Sequence, residues 1–295
     1  MSPETGPTGT PPADARALAG LLDALPARHD ARDLERALER AVADDDLVAC
    51  AYGLVDLTSL EATDTPGRVR RLATRARDER LDGREVAAVC VWPDLVGEVA
   101  AVLSGSDVRA AAVAGAFPSA RSPLAVRVAE VEAAVAAGAD EIDLVLDRGA
   151  LLDGREWEAH RQLVTLIGAC AGATCKVILE TGSLPDGDTV ARAAWIAMLA
   201  GADLLKTSTG KDGPGASAAA VLVLVEEALT FERHTGRPVG VKASGGIREA
   251  DDATRLLSLV RALAGDDWLV PRRLRLGASA LLDALGERGR AAPNV

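Results

Sequence analysis

From about Leu47 onward, short apolar runs rich in β-branched residues alternate with longer stretches whose apolar positions recur at helical spacing. The short runs are GLVDLT (53–58), VAAVCV (86–91), VRAAAVAG (108–115), EIDLVLD (141–147), CKVILET (175–181), ADLLKTST (202–209), VGVKASG (239–245) and RLRLGAS (273–279). Between them lie amphipathic segments such as PLAVRVAEVEAAVAAG and ARAAWIAMLAG, which end at Gly138 and Gly201 just before the next run. Eight strands alternating with helices predict either a closed (β/α)8 TIM barrel or an open doubly wound sheet. No GxGxxG and no GxxxxGK followed by Ser or Thr opens the first helix, and polar residues recur at the ends of several strands. The α/β class with a closed barrel is therefore expected. Residues 46–287 form that barrel in this reading, 1–45 a flexible N-terminal tail plus an extra helix over Ala31–Ala43, and 288–295 a C-terminal tail.

Composition sharpens the picture in a few places. Only 2% of the 295 residues are aromatic against 48% hydrophobic, so Val, Leu, Ile and Ala must fill the core. The formal net charge is −11. A polyanion needs clustered Lys and Arg, so nucleic acid and anionic membrane are excluded as partners of the chain as a whole, whereas one pocket can still hold a small phosphorylated metabolite. No apolar run reaches the roughly 18 residues of a membrane span, and the first residues lack the layout of a signal peptide. Cys50, Cys90, Cys170 and Cys175 form neither a CxxC pair nor a disulfide ladder. They are expected to be reduced, in a cytoplasmic protein.

The lysines carry the chemical argument. Lysine plus arginine total 33, yet only Lys176, Lys206, Lys211 and Lys242 are lysines. Arginine cannot deprotonate in a protein and lysine can, above all when buried. Three of the four fall inside predicted strands, and the fourth closes the T-S-T-G-K loop. Lys176 lies at the start of its strand, the end of a barrel least associated with catalysis, and is read as a buried ion-pair partner. Lys206 and Lys242 sit toward the C-terminal ends of their strands, where barrel enzymes place their chemistry. Two ammonium groups close together in a poorly hydrated site lower at least one pKa, as a carbonyl-attacking lysine requires. Asp143 interrupts the otherwise apolar EIDLVLD, and a buried carboxylate must meet a cation or donor there. A structural salt bridge and a proton-relaying role both fit it.

Three glycine- or serine-rich strand exits follow, at 207–211, 244–246 and 277–279. Barrels commonly bind phosphate after strands seven and eight, which by this count are the exits Gly245-Gly246 and Gly277-Ala278-Ser279. The expected ligand is a small phosphorylated aldehyde or sugar. Metal chemistry is not expected, since His29, His160 and His234 are far apart and no cysteine–histidine spacing suits zinc. No nucleophile elbow is present. Cys90 reads as a small buried apolar residue, and the four tryptophans as packing.

Together, DLTSL (56–60), AVCVWP (88–93), GADEIDLV (138–145), KVILETG (176–182), GADLLKTSTGK (201–211), VKASGGIR (241–248) and LRLGASALL (274–282) resemble the deoxyribose-phosphate aldolase family, class I aldolases of deoxyribonucleotide catabolism. The resemblance implies a metal- and cofactor-free aldehyde lyase that cleaves 2-deoxy-D-ribose 5-phosphate to D-glyceraldehyde 3-phosphate and acetaldehyde. It implies that Lys206 forms the Schiff base, that Lys242 depresses its pKa, and that Asp143 works with Lys242 in proton transfer. Thr209, Gly210, Lys211, Gly245, Gly246, Gly277 and Ser279 would line the substrate and phosphate pocket, with Asp56 and Cys90 near it. The chain departs from the family at Ala280, where a second serine is common, and at Gly215-Ala216-Ser217 in place of Asn-Ala-Thr. Further departures are FPSA (117–120) in place of FPxG and a C-terminus without tyrosine. Another lysine-dependent barrel aldolase and a non-catalytic sugar-phosphate-binding barrel are the competing readings. A monomer and a homodimer both remain open.

Overall fold

The computed structural model describes residues 12–25 and 41–291. Eight parallel strands close into a barrel in sequence order, each hydrogen-bonded to the next and the last to the first. They are β1 (Val55–Thr58), β2 (Ala88–Val91), β3 (Arg109–Ala114), β4 (Glu141–Val145), β5 (Thr174–Ile178), β6 (Leu204–Lys206), β7 (Gly240–Ser244) and β8 (Leu274–Ala278). All eight expected strands are present, mostly shorter than their apolar runs. Gly53 belongs to the short helix α2 (Val48–Gly53), which follows the N-terminal α1 (Ala15–Asp23). Asp147, expected on β4, instead caps a helix by accepting a bond from the Ala150 N–H at 3.0 Å. The chain leaves the sheet after Lys206, so Thr207–Thr209 belong to a loop.

The helical ring comprises α3 (Pro66–Asp78), α4 (Val96–Leu103), α5 (Leu124–Ala136), α6 (Arg148–Leu152), α7 (Glu156–Ala169), α8 (Gly187–Ala200), α9 (Ala218–Thr235), α10 (Ala250–Ala264) and α11 (Leu281–Ala291). Thr65, Asp186 and Ser217 cap α3, α8 and α9 by accepting bonds from N–H groups three residues on. Gly138 and Gly201 end α5 and α8 with φ of 103° and 109°, as their positions in the sequence predict. The last helix runs through residues 288–291, which had been expected to form the start of a C-terminal tail.

Strand alternation divides the interior into two zones. Ile142, Leu144, Val177, Leu205, Val241 and Leu276 point outward and join the main apolar core between sheet and helices. The lumen is different: its middle holds charged side chains from β1, β4, β5, β6, β7 and β8. Two small apolar groups flank them, Ala88, Cys90, Ala111 and Val113 on one side and Ala120, Val145 and Ile178 on the other.

The N-terminal segment corrects one expectation. The stretch ending at Arg16, read as a flexible tail, runs into α1, whose Leu18 and Leu22 are fully buried, and α1 packs against α7. Asp14 caps it at 2.9 Å, and Asp23 pairs with Arg192 of α8 at 3.2 Å. The helix expected over Ala31–Ala43 lies largely outside the described residues, and residues 41–43 are irregular. Among the described residues no helix is long and apolar enough to cross a membrane.

Candidate active site

Barrel register brings the three strand lysines onto shared carboxylates. Lys206 on β6 pairs in the ladder with Lys242 on β7, and Asp143 on β4 with Lys176 on β5. Lys206 Nζ and Lys242 Nζ both donate to Asp143 Oδ2, at 2.7 and 2.8 Å, while Lys176 Nζ donates to Oδ1 at 2.8 Å. Lys242 also reaches Asp56 Oδ2 at 2.6 Å, and Lys176 reaches Glu141 Oε2 at 2.6 Å. Arg275 on β8 closes the network, pairing with Asp56 at 2.6 Å and Glu141 at 2.7 Å.

Four cations thus face three carboxylates, all buried. If every group were ionised, the centre would hold one excess positive charge in a medium that penalises it. The directions of the pKa shifts point to the group that gives up its charge most readily. Burial pushes the Lys206 ammonium down; Asp143 opposes this, and nearby Lys242 disfavours the charge again, leaving a net lowering. Burial acts on Lys242 and Lys176 in the same sense, but their two or three carboxylates outweigh it and hold both above the ordinary lysine value. Burial would raise Asp143 and Asp56 as well, and the surrounding cations overcome it, so both stay ionised. With Lys206 neutral, the remaining charges balance.

Above this layer opens a cavity of about 720 Å³. Lys206 forms part of its floor, and Lys242, Lys176, Asp143, Asp56 and Cys90 do not reach it. Thr209, Gly210, Lys211, Gly245, Gly246, Gly277 and Ser279 all line it. Cys90 sits beneath, Sγ 3.9 Å from Asp143 Oδ2, and burial followed by that carboxylate pushes its thiol pKa up. It is a buried small side chain, as the sequence suggests.

A scan against protein-family models matches residues 56–285 to the DeoC/LacD family aldolase model. The chain belongs to that aldolase family. Over 246 residues it is 39% identical to the deoxyribose-phosphate aldolase of Homo sapiens, covering 79% of this chain and 77% of that one. It is 38% identical over 238 residues to the deoxyribose-phosphate aldolase of Agrobacterium fabrum, covering 80% and 88%. The solved tetrameric deoxyribose phosphate aldolase of Aeropyrum pernix superposes with a TM-score of 0.66 at 26% identity, covering 88% of this chain and 98% of that chain.

Several features of the aldolase's site escaped the sequence reading. Arg275 and Glu141 complete the charge network, and their only sequence signal is a charge at an inward position of an otherwise apolar strand. Glu180 is fully buried just past β5, with a left-handed backbone (φ 56°, ψ 56°). A non-glycine residue in that region costs about 1–3 kcal/mol and persists only where its surroundings hold it. Its Oε2 accepts the Thr209 N–H at 3.1 Å, while Thr209 Oγ1 accepts the Lys211 N–H at 3.1 Å. Glu180 therefore anchors the loop that carries Thr209, Gly210 and Lys211.

The structure gives one departure from the family pattern a physical reason and shows the cost of another. A Cβ on Gly215 would stand 2.3 Å from the Gly245 carbonyl oxygen, so this loop packs directly on the glycine exit of β7. Ala120, where the family usually has glycine, adopts φ of 58°, a conformation that costs an L-residue about 1–2 kcal/mol.

Proposed function

We propose that this aldolase cleaves 2-deoxy-D-ribose 5-phosphate reversibly to D-glyceraldehyde 3-phosphate and acetaldehyde, through a Schiff base on Lys206. One observation carries the residue assignment: Lys206 alone among the buried lysines opens onto the cavity, and it alone has a lowered pKa. The neutral amine attacks C1 of the open-chain sugar, and loss of water gives the iminium. Acetaldehyde takes C1 and C2, so the bond that breaks is C2–C3. Its electron pair passes into the iminium to form an enamine as the C3 hydroxyl loses its proton and becomes the new aldehyde. C2 then takes up a proton, and hydrolysis releases acetaldehyde and regenerates the amine. One water leaves and one returns.

Lys242 and Asp143 are assigned to that proton traffic, and Asp56 to holding Lys242. The phosphate is assigned to the backbone at Gly210, Gly245, Gly246 and Gly277, with Thr209, Lys211 and Ser279. The first turn of α11 begins two residues after Ser279 and contributes its positive dipole end. We place the catalytic unit at residues 46–287, in the cytoplasm, a location the four free cysteines support. The tetrameric Aeropyrum pernix relative supports self-association of this chain as well; light scattering distinguishes a monomer from a homodimer or a larger assembly.

Incubation with acetaldehyde, borohydride reduction and peptide mass spectrometry test the assignment. A reduced two-carbon adduct on Lys206, absent from Lys206→Ala, is expected. No adduct on Lys206 together with retained binding of deoxyribose phosphate would leave a sugar-phosphate-binding barrel instead.

A further inference from the structure

We propose that the cavity contains a second anion subsite on helix α3, centred on Arg71, which takes a second phosphoryl group. The inference uses only the phosphate cradle from the reading above and does not depend on the aldol step.

The charge around the cavity runs against that of the chain. In a protein of net charge −11, its wall includes Arg68, Arg71, Arg75, Lys211 and Arg248, against Glu61 as the only carboxylate among the described residues. Glu61 in turn lies 3.7 Å from Lys211. Cations concentrated in a cleft focus the field and attract anions.

The arginines fall in two places. Arg248 lies with Gly245 and Gly246 at the exit of β7, next to the cradle. Arg68, Arg71 and Arg75 recur at three- and four-residue spacing along one face of α3, beyond the exit of β1. In the closed barrel β8 stands between β7 and β1, so the two groups flank the Gly277 exit from opposite sides.

Pairing within α3 singles out Arg71. Arg68 pairs with Asp64 at 3.1 Å, Arg70 with Glu98 at 2.6 Å, Arg75 with Glu79 at 2.9 Å and Arg77 with Asp78 at 2.7 Å. Arg71 has no carboxylate or carbonyl partner among the described residues, and it is the one on the cavity wall between Arg68 and Arg75. A guanidinium offers five donors in a fork that fits phosphate oxygens. A five-carbon monophosphate has a single anionic group, which the glycine cradle already serves. The cavity of about 720 Å³ is larger than such a ligand fills. A compact sugar bisphosphate matches a cavity with one anion site on each side of the β8 exit.

The test uses the full chain at low, constant ionic strength. Calorimetric titration with inorganic phosphate should give two phosphates per chain, and Arg71→Gln should leave one, with Arg71→Lys restoring part of the second. Ribose 1,5-bisphosphate should compete with deoxyribose 5-phosphate about tenfold more tightly than ribose 5-phosphate does, a difference of about 1.4 kcal/mol. In Arg71→Gln that advantage should vanish while KM for deoxyribose 5-phosphate stays unchanged. A single phosphate on the wild type, a second phosphate that survives Arg71→Gln, or no advantage for the bisphosphate overturns the subsite. A matching rise in KM for deoxyribose 5-phosphate also overturns it, because Arg71 would then serve the substrate's own phosphate. If the chain lacks aldolase activity, the phosphate titration still reads the subsite by itself.

Discussion

Replacing Lys242 with methionine removes a charge while keeping a side chain of similar length. Lys206 and Lys242 bond the same oxygen, Asp143 Oδ2, at 2.7 and 2.8 Å. Their nitrogens therefore stand within about 5.5 Å, where two unit charges repel by about 3 kcal/mol at an effective dielectric constant of ~20. At ~1.36 kcal/mol per unit, this corresponds to about 2 pKa units. The repulsion favours neutral Lys206, so its removal raises the Lys206 pKa, by up to that amount. The neutral amine available at neutral pH should fall by as much as ~100-fold. The assay is the initial rate of borohydride trapping with acetaldehyde as a function of pH, read as the midpoint of its rise. A midpoint that moves to higher pH by between one and two units is expected. An unmoved midpoint, or one that moves down, would refute the charge-balance argument. Breaking a buried pair costs about 3–5 kcal/mol, so circular dichroism must show the variant folded at the assay temperature.

Asp143→Asn should cost about 3–5 kcal/mol at neutral pH, measured by urea denaturation, because three lysines lose a shared partner. Asp143 titrates well below the ordinary carboxylate range when folded, so its contribution is fully present above the unfolded value of about 3.9 and is lost only as pH falls through the folded value. The gap between wild type and variant should therefore be level from pH 7 to about 4 and shrink below that; a gap that closes by pH 5 contradicts the assignment. Gly277→Ala places a Cβ 2.2 Å from Ser244 Oγ and 3.0 Å from Lys242 Cε. It should cost about 1–3 kcal/mol of stability and lower kcat through the displaced Lys242, whereas unchanged kinetics would mean the site absorbs the methyl. Leu18→Ala should destabilise the whole chain by about 2–5 kcal/mol in thermal unfolding if α1 is part of the fold, and by almost nothing if it is an appendage.

The sequence shows this barrel clearly because each strand has its own apolar run and each run ends in turn or cap residues. Lys206, Lys242 and Asp143 were legible for a related reason: a charge inside such a run contradicts its surroundings and needs an explanation. What pairs with what was not legible. Lys176 was read as a separate ion pair at the barrel's lower end, and it is fully buried and paired as that reading requires. Yet its partners include Asp143 itself, a convergence that depends on strand stagger and on closure of β8 onto β1. Arg275 and Glu141 were missed for the same reason. Glu180 was missed because its role lies in one hydrogen bond to a loop 29 residues away. In α1, Leu18 and Leu22 stand four residues apart, a helical signal obscured by the glycines and prolines that precede them.

The scarcity of lysine has a practical consequence for handling this protein. Three of the four side-chain amines are buried in the lumen, Lys206 reached only through the cavity, so among side-chain amines a reagent too bulky for the cavity meets only Lys211, about one-third exposed at its rim. Ordinary amine coupling, elsewhere a random reaction over many surface sites, narrows here to the α-amine and Lys211: once the α-amine is blocked, a dye, tether or solid support attaches beside the entrance that substrate must use. Immobilisation through Lys211 would obstruct that entrance, whereas a fluorophore placed the same way would report on its occupancy.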